Sequence, residues 1–230
     1  MNEFTLIETM RFTPHQGIWR RRLHLERLKR SANRLSFARP EDLESRLDAA
    51  VKQASAEEDA DMLRVRLSLS RDGTVSITTA PFALQNPGTV WQVRIAKARL
   101  KSTDPLLRYK TSRRGTYEAA RAEYAGTEAD EVLLLNEAGE PCEGTITSLF
   151  LDDGSGVLKT PPISAGLLAG VLRTELICAR KARVCRLSLA DLNTGALFMG
   201  NSLRGLIACR LVGHDDAAPC RKTDRAGPLL

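Results

Sequence analysis

Between residues 63 and 70 every second position is apolar: Leu63, Val65, Leu67 and Leu69 alternate with Arg64, Arg66, Ser68 and Ser70. A period of two places the first set on one face of an extended segment and the second on the other, so this stretch is a half-buried strand. Arg71-Asp72-Gly73 supplies turn chemistry, and Val75 and Ile77 begin the returning strand of a hairpin. Upstream, Leu25, Leu28, Ala32 and Leu35 recur at spacings of 3, 4 and 3, the stripe of an amphipathic helix over residues 22–37. A second helix is predicted over 41–54 and a first strand over 4–11, FTLIETMR. One more strand is predicted over 89–96.

Periodicity is lost in KARLKSTDPLLRY, residues 97–109, which reads as a linker. Beyond it the pattern predicts a helix over 114–125 and a buried strand over 131–136, with a turn at Asn136-Glu137-Ala138-Gly139. Strands near 146–151 and 156–160, a helix over 168–181, and strands near 183–188, 196–200 and 205–212 follow. The last residues, DDAAPCRKTDRAGPL, read as a frayed end. The mixture predicts an α+β fold in two lobes with a ligand cleft between them. The division expected is a small domain over 1–97, a linker over 98–109 and a larger domain over 110–230.

Composition narrows the function. At 43% hydrophobic and 27% charged residues, the chain has the make-up of a globular protein, and 230 residues suffice for a sizeable core. No apolar run approaches the roughly 20 residues of a membrane span, and MNEFTLIETM has neither a basic nor an apolar leader region. Five cysteines without a CxxC pair suit reduced thiols and a cytoplasmic location. The three histidines (15, 24 and 214) are scattered, so no metal site is expected. A net charge of +6 permits either a nucleic-acid surface or a site for anionic small molecules. Arg20-Arg21-Arg22 and Lys29-Arg30 form a basic run, but aromatics at 5% offer no stacking platform, so nucleic acid is not expected as a partner.

The stretch from 110 to 150 concentrates the chemistry. It holds Lys110 beside Arg113 and Arg114, the strand Asp130-Glu131-Val132-Leu133-Leu134-Leu135, then Glu143-Gly144-Thr145-Ile146-Thr147. By spacing alone, Lys110 reads equally as a surface lysine of a basic linker. Glu143 reads alone as a charged turn residue, with Glu140 a competing acid.

Taken in order, the landmarks resemble the class IV aminotransferase family, pyridoxal phosphate enzymes of fold type IV. The matching pieces are Ile7-Glu8-Thr9-Met10-Arg11, His24-Leu25-Glu26-Arg27-Leu28 with Ser31-Ala32, and Lys110 with Arg114. The segment 130–135, Glu143-Gly144-Thr145 with Leu149-Phe150, Gly170-Val171-Leu172-Arg173 and Phe198-Met199-Gly200-Asn201-Ser202-Leu203 complete the set. Within the family the wording is most similar to the aminodeoxychorismate lyase branch.

The resemblance implies pyridoxal 5'-phosphate as cofactor, bound as an imine to Lys110, which also moves the substrate proton. A nearby cation and burial both lower a lysine pKa in the sense this requires. Glu143 is implied to pair with the pyridine nitrogen and keep the ring an electron sink. Arg27 is implied to bind the phosphate, where guanidinium geometry suits it; by itself it would read as a solvated helix residue. The amides of Val171 and Leu172, opening a helix, and the polar groups of Ser202 and Asn201 are implied as further phosphate contacts, and Thr145 and Ile146 are implied to lie near the ring. Arg11 and Arg66 are candidates for substrate carboxylates, against the plain reading of exposed strand arginines. Arg114 is a substrate-side candidate too, and Tyr109, Arg113 and Tyr117 are weaker ones. Two departures stand out: the chain starts at the strand FTLIET without the leading strand expected in relatives, and Ser148 replaces a common asparagine.

The implied activity is conversion of 4-amino-4-deoxychorismate to 4-aminobenzoate and pyruvate in folate synthesis, with a functional link to aminodeoxychorismate synthase. The alternative is a transaminase of branched-chain or D-amino acids. A non-catalytic binding protein is disfavoured by Lys110, Glu143 and Arg27 occurring together. A homodimer is expected.

Overall fold

The computed structural model describes residues 4–57 and 60–213. The frayed end expected beyond 214 lies outside the described residues. The first lobe is a four-stranded sheet of β1 (Leu6–Thr13), β2 (Gly17–Ile18), β3 (Leu63–Leu69) and β4 (Val75–Pro81), in the order β2-β1-β3-β4. Its strands are antiparallel, and β3 pairs along its whole length with β1 on one side and β4 on the other. The alternation in β3 is realised as predicted: Leu63, Val65, Leu67 and Leu69 are buried, while Arg64 and Arg66 are exposed. Helices α1 (Arg21–Arg34) and α2 (Leu43–Glu57) cover the apolar face, with Leu28, Ala32, Leu47 and Val51 meeting Leu6, Met10, Val65 and Leu67 in one core.

The second lobe is an eight-stranded sheet. It comprises β5 (Val90–Leu100), β6 (Glu131–Asn136), β7 (Pro141–Gly144), β8 (Ser148–Asp152), β9 (Leu158–Thr160), β10 (Ala182–Val184), β11 (Ala196–Asn201) and β12 (Gly205–Leu211). The order is β10-β9-β8-β11-β12-β5-β6-β7, and an extra pairing of β7 with β8 closes six of the strands into a barrel. Strand β6 shows why its central run, Val132–Leu135, is apolar throughout. Leu133 and Leu135 point into the barrel with Trp91, Leu149 and Met199. Val132 and Leu134 point the other way, to Ala120 of α3 (Gly115–Ala122). Both faces are covered, so no polar alternation survives. Helix α4 (Val171–Cys178) covers the β8–β9 side through Leu172 and Leu176 against Phe150 and Leu158.

Two expectations need correction. Strand β5 was assigned to the first domain up to residue 97, but it pairs in parallel with β6 and β12 and so belongs to the second sheet. Its last residues, Ala98–Leu100, therefore lie in a strand and not in a linker; only the stretch after Leu100, with a 3-10 turn at Pro105–Arg108, is irregular. The error has a physical source: parallel partners lie far apart in sequence, so period alone cannot assign a strand to its sheet. The stretch Pro141–Gly144, for which no element was predicted, is strand β7, with proline at its first residue, a position a strand tolerates.

Candidate active site

The segment bearing Lys110 is fastened to the first lobe through its backbone. Ile7 N–H donates to the Lys110 carbonyl at 2.8 Å and Ser112 N–H to the Thr5 carbonyl at 2.9 Å, so Thr111 bridges Leu6. This leaves the lysine side chain lining a cavity of about 600 Å³ between the lobes, within the range of small-molecule sites. Burial, then the charges of Arg27 and Arg114, pull the Lys110 pKa down to about 8 against Glu8 and Glu143.

Glu143 lines the same cavity from β7, at the seam that closes the barrel, where it pairs with Ser148. Tyr117 O–H donates to its Oε1 at 2.7 Å, and Leu168 N–H lies 3.2 Å from both oxygens. Burial raises the Glu143 pKa to about 7 against these donors and the Lys110 and Arg114 charges. Glu140, the competing acid, lies outside the cavity, held by Asn136 Nδ2 at 2.8 Å and by Arg186.

The loop after Glu143 is shaped from within. Buried Glu131 accepts from Thr145 N–H at 3.1 Å, Ile146 N–H at 3.2 Å and Thr147 O–H at 2.9 Å. Gly144 is required here, since a Cβ would lie 2.6 Å from Met199 Cε and 2.9 Å from Glu131 Cδ. Arg114 donates to the Thr145 carbonyl and stacks 4.8 Å from the Tyr117 ring centre. Ile146, 49% exposed, stands at the cavity wall.

Arg27 reaches the cavity from α1, already bound to a partner. Its Nε donates to Glu8 Oε1 at 2.8 Å and its Nη2 to Oε2 at 2.5 Å. The same carboxylate receives His24 Nδ1 at 2.6 Å, and His24 Nε2 meets Ser202 Oγ at 2.8 Å. Glu8, His24, Arg27 and Ser202 are all buried. Burial alone would raise the Glu8 pKa, yet Arg27's charge and the hydrogen bonds from His24 and Arg27 hold it down at about 2. Asn201 sets the Ser202 turn: its Oδ1 accepts from Leu203 N–H at 3.1 Å and Arg204 N–H at 2.9 Å, and its Nδ2 donates to the Ile146 carbonyl at 3.1 Å.

Of the residues singled out in the sequence, Lys110, Glu143, Arg27, Thr145, Ile146, Leu172, Asn201, Ser202, Arg66, Tyr109 and Arg114 line this cavity, as do Arg113 and Tyr117. Val171 is buried one residue behind Leu172 and is not among its lining side chains. Arg11 does not line it at all. It is 4% exposed and lies 3.5 Å above the Trp19 ring centre, so its expected role toward substrate is replaced by packing. Sequence reasoning did not assign roles to Glu8, His24, Arg64 and Arg204. The signal for the first two was available: Glu8 shares a strand face with Leu6 and Met10, and His24, Arg27 and Ser31 share the buried helix stripe with Leu28 and Ala32. Arg64 and Arg204 line the cavity and, with Arg66 and Arg113, make no ion pair among the described residues.

The basic run at 20–22 is neutralised locally. Arg20 pairs with Glu175, Arg21 with Glu44 and Asp48, and Arg22 with Glu26. A second, more open depression of about 1040 Å³, lined by Lys29, Arg34, Ile177 and Val184, contains neither the lysine nor the acid. Among the described residues no helix is long and apolar enough to cross a membrane, and no cluster of metal-ligating side chains is present.

A buried acid and a lysine of lowered pKa in one interlobe cavity define an enzyme-like site. Residues 5–212 match the family model described as Amino-transferase class IV, and the chain belongs to that family. Enzymes of the family use pyridoxal phosphate. The chain is 30% identical over 159 residues to a Schizosaccharomyces pombe protein named "Putative aminodeoxychorismate lyase", covering 67% of this chain and 65% of that protein. It is 32% identical over 163 residues to a Thermotoga maritima protein named "Probable branched-chain-amino-acid aminotransferase", covering 69% of this chain and 57% of the other. The chain thus spans less than two thirds of either relative. A crystal structure from Mesorhizobium loti, described as a "Putative amino-acid aminotransferase", is 47% identical, with a TM-score of 0.85, covering 91% of this chain and all of the other.

The residues present fit the family's cofactor. A lysine and a buried acid, Lys110 and Glu143, face one cavity, and α4 opens at Gly170 with no side-chain cap. Gly170 itself lines the cavity, so the free amides of this helix N-terminus open beside it, where an anion can be met.

Proposed function

We propose that this chain is a pyridoxal phosphate-dependent lyase that converts 4-amino-4-deoxychorismate to 4-aminobenzoate and pyruvate. When bound, the cofactor supplies an electron sink for charge that develops on the substrate. Lys110 would hold it covalently, and Nζ, neutral above about pH 8, would take the substrate ring proton. Glu143, whose pKa burial raises to about 7, would face the pyridine nitrogen, and its ionised form would favour a protonated ring. Ser202, Arg27 Nη1 and the first turn of α4 would hold the phosphate.

The observation that carries the lyase reading is the arginine wall. Arg64, Arg66, Arg113 and Arg204 line the cavity and make no ion pair among the described residues, which suits a substrate bearing two carboxylates. The second reading, a transaminase of branched-chain or D-amino acids, draws on the aminotransferase names of the Thermotoga maritima and Mesorhizobium loti relatives. Both use the same lysine and acid. Incubating the loaded protein with 4-amino-4-deoxychorismate should yield 4-aminobenzoate and pyruvate in equal amounts without a keto acid. Turnover only when an amino acid and a keto acid are supplied together would favour the transaminase. The same reading expects a cytoplasmic homodimer linked in function to aminodeoxychorismate synthase.

A further inference from the structure

Ser202 is the one hydroxyl held by the buried histidine, and the polarity of that contact matters. Glu8 is ionised and can only accept, so Nδ1 of His24 carries a proton. In a neutral ring, Nε2 is then a bare acceptor, and Ser202 must spend its single proton on His24. What Ser202 offers the cavity in that state is lone pairs, the wrong polarity for an anion.

We propose that His24 is a proton-carrying positioning residue: when a phosphate dianion enters beside Ser202, the ring gains a proton at Nε2, donates it to Ser202 Oγ, and turns the Ser202 hydroxyl proton toward the anion. The proton comes from solvent or from the monoanionic form of the ligand: an N–H bond forms at Nε2 as an O–H bond of that donor breaks, and every other change is in hydrogen bonds. This inference rests on the phosphate assignment made above.

The charges around the ring make the switch conditional. Glu8 faces it from β1, Arg27 from its own helix and Lys110 from the segment clamped to β1. Arg20, paired with Glu175 of α4, donates to the Ser202 carbonyl at 3.3 Å. Glu8 is already shared with Arg27, so a further cation at His24 lacks compensation until an anion arrives. Burial, joined by the Arg27 and Lys110 charges, holds the His24 pKa below its usual value against the pull of Glu8. A doubly charged anion reverses that balance. The arrangement couples anion binding to uptake of a proton, so affinity for the phosphate falls as pH rises, by up to about tenfold per pH unit.

The protein has three histidines, so nitrogen-15 spectra of histidine-labelled full-length chain resolve the ring directly, with His24→Gln assigning the signals. Spectra are taken at pH 7.5 with the pyridoxal phosphate-loaded protein, the stripped protein, and the stripped protein with inorganic phosphate. The expected result is an unprotonated Nε2 in the stripped protein and a protonated one in the loaded protein. Ser202→Ala, loaded, should keep Nε2 unprotonated, because no hydroxyl remains to accept from the protonated ring and link it to the anion; a protonated Nε2 there overturns the proposal. A visible cofactor band together with an unprotonated Nε2 in the wild type also overturns it, while leaving the cofactor reading intact. If no band forms, the cofactor reading fails and the inorganic phosphate sample decides: protonation of Nε2 supports the relay, and no change overturns it.

Discussion

Glu8 and Arg27 form a buried two-bond ion pair that joins the first strand to the first helix, Nε to Oε1 at 2.8 Å and Nη2 to Oε2 at 2.5 Å. Neither residue is more than 6% exposed. Removing one partner leaves the other charge buried and uncompensated, a cost of about 3–5 kcal/mol. Glu8→Gln should therefore lower the stability measured by urea denaturation by that amount, with the slope of the transition unchanged.

Glu8 also predicts an acid limb. Its folded pKa of about 2 lies below its ordinary 4.5, so its contribution is fully present above pH 4.5 and is lost as pH falls toward 2. Stability measured over that window should fall less steeply with decreasing pH in Glu8→Gln than in the wild type. Parallel curves would remove Glu8 as a source of the acid sensitivity.

Lys110 predicts the opposite kind of profile. Its pKa of about 8 is set by burial first and then by Arg27 and Arg114, so the neutral amine grows as pH rises through 8. The rate at which added pyridoxal phosphate is captured should rise over that range and then level off. Arg114→Met removes one of the depressing charges, so the midpoint should move to higher pH. An unmoved midpoint would show that Arg114 does not tune the lysine.

Glu143 and Arg27 should separate chemistry from cofactor retention. Glu143→Gln should bind cofactor near normally and lose most turnover, because a neutral partner no longer favours a protonated ring nitrogen. Arg27→Ala should raise the cofactor concentration needed, since a charge-assisted phosphate contact contributes about 1.5–3 kcal/mol, beside the stability lost by leaving Glu8 buried without its partner. Titrating cofactor against activity for both variants distinguishes them. Near-normal turnover of Glu143→Gln at saturating cofactor would remove Glu143 from the ring-acid role.

The elements were legible where one physical signal dominated. The period-two alternation of β3 and the unbroken apolar run of β6 were readable because burial on one face or on both writes itself directly into composition. What period cannot encode is partnership. Strand β5 looks like its neighbours β3 and β4 in sequence yet hydrogen-bonds to β6 and β12, and only the three-dimensional pairing reveals the closed barrel. The site divides the same way. An ordered set of motifs singled out Lys110, Glu143, Arg27 and Ser202, which line one cavity. Arg11 was misread because a strand arginine shows nothing in sequence of the Trp19 ring that covers it. The apolar stripe drawn through Leu25, Leu28, Ala32 and Leu35 also hid its polar half. The buried face of α1 carries His24, Arg27 and Ser31 at helical spacing, and Leu25 and Leu35 are only partly buried. Polar residues on a dry stripe mark a site more specifically than the leucines mark a core.

The central claim is that Lys110 carries the cofactor in the cavity it shares with Glu143. Full-length protein incubated with pyridoxal phosphate, treated with borohydride, digested and analysed by mass spectrometry tests it most directly. The account predicts a yellow protein whose visible band is bleached by borohydride, with the added mass on Lys110 and absent from Lys110→Ala. A protein that stays colourless with added cofactor, or one labelled at another lysine while Lys110 is unmodified, would contradict it.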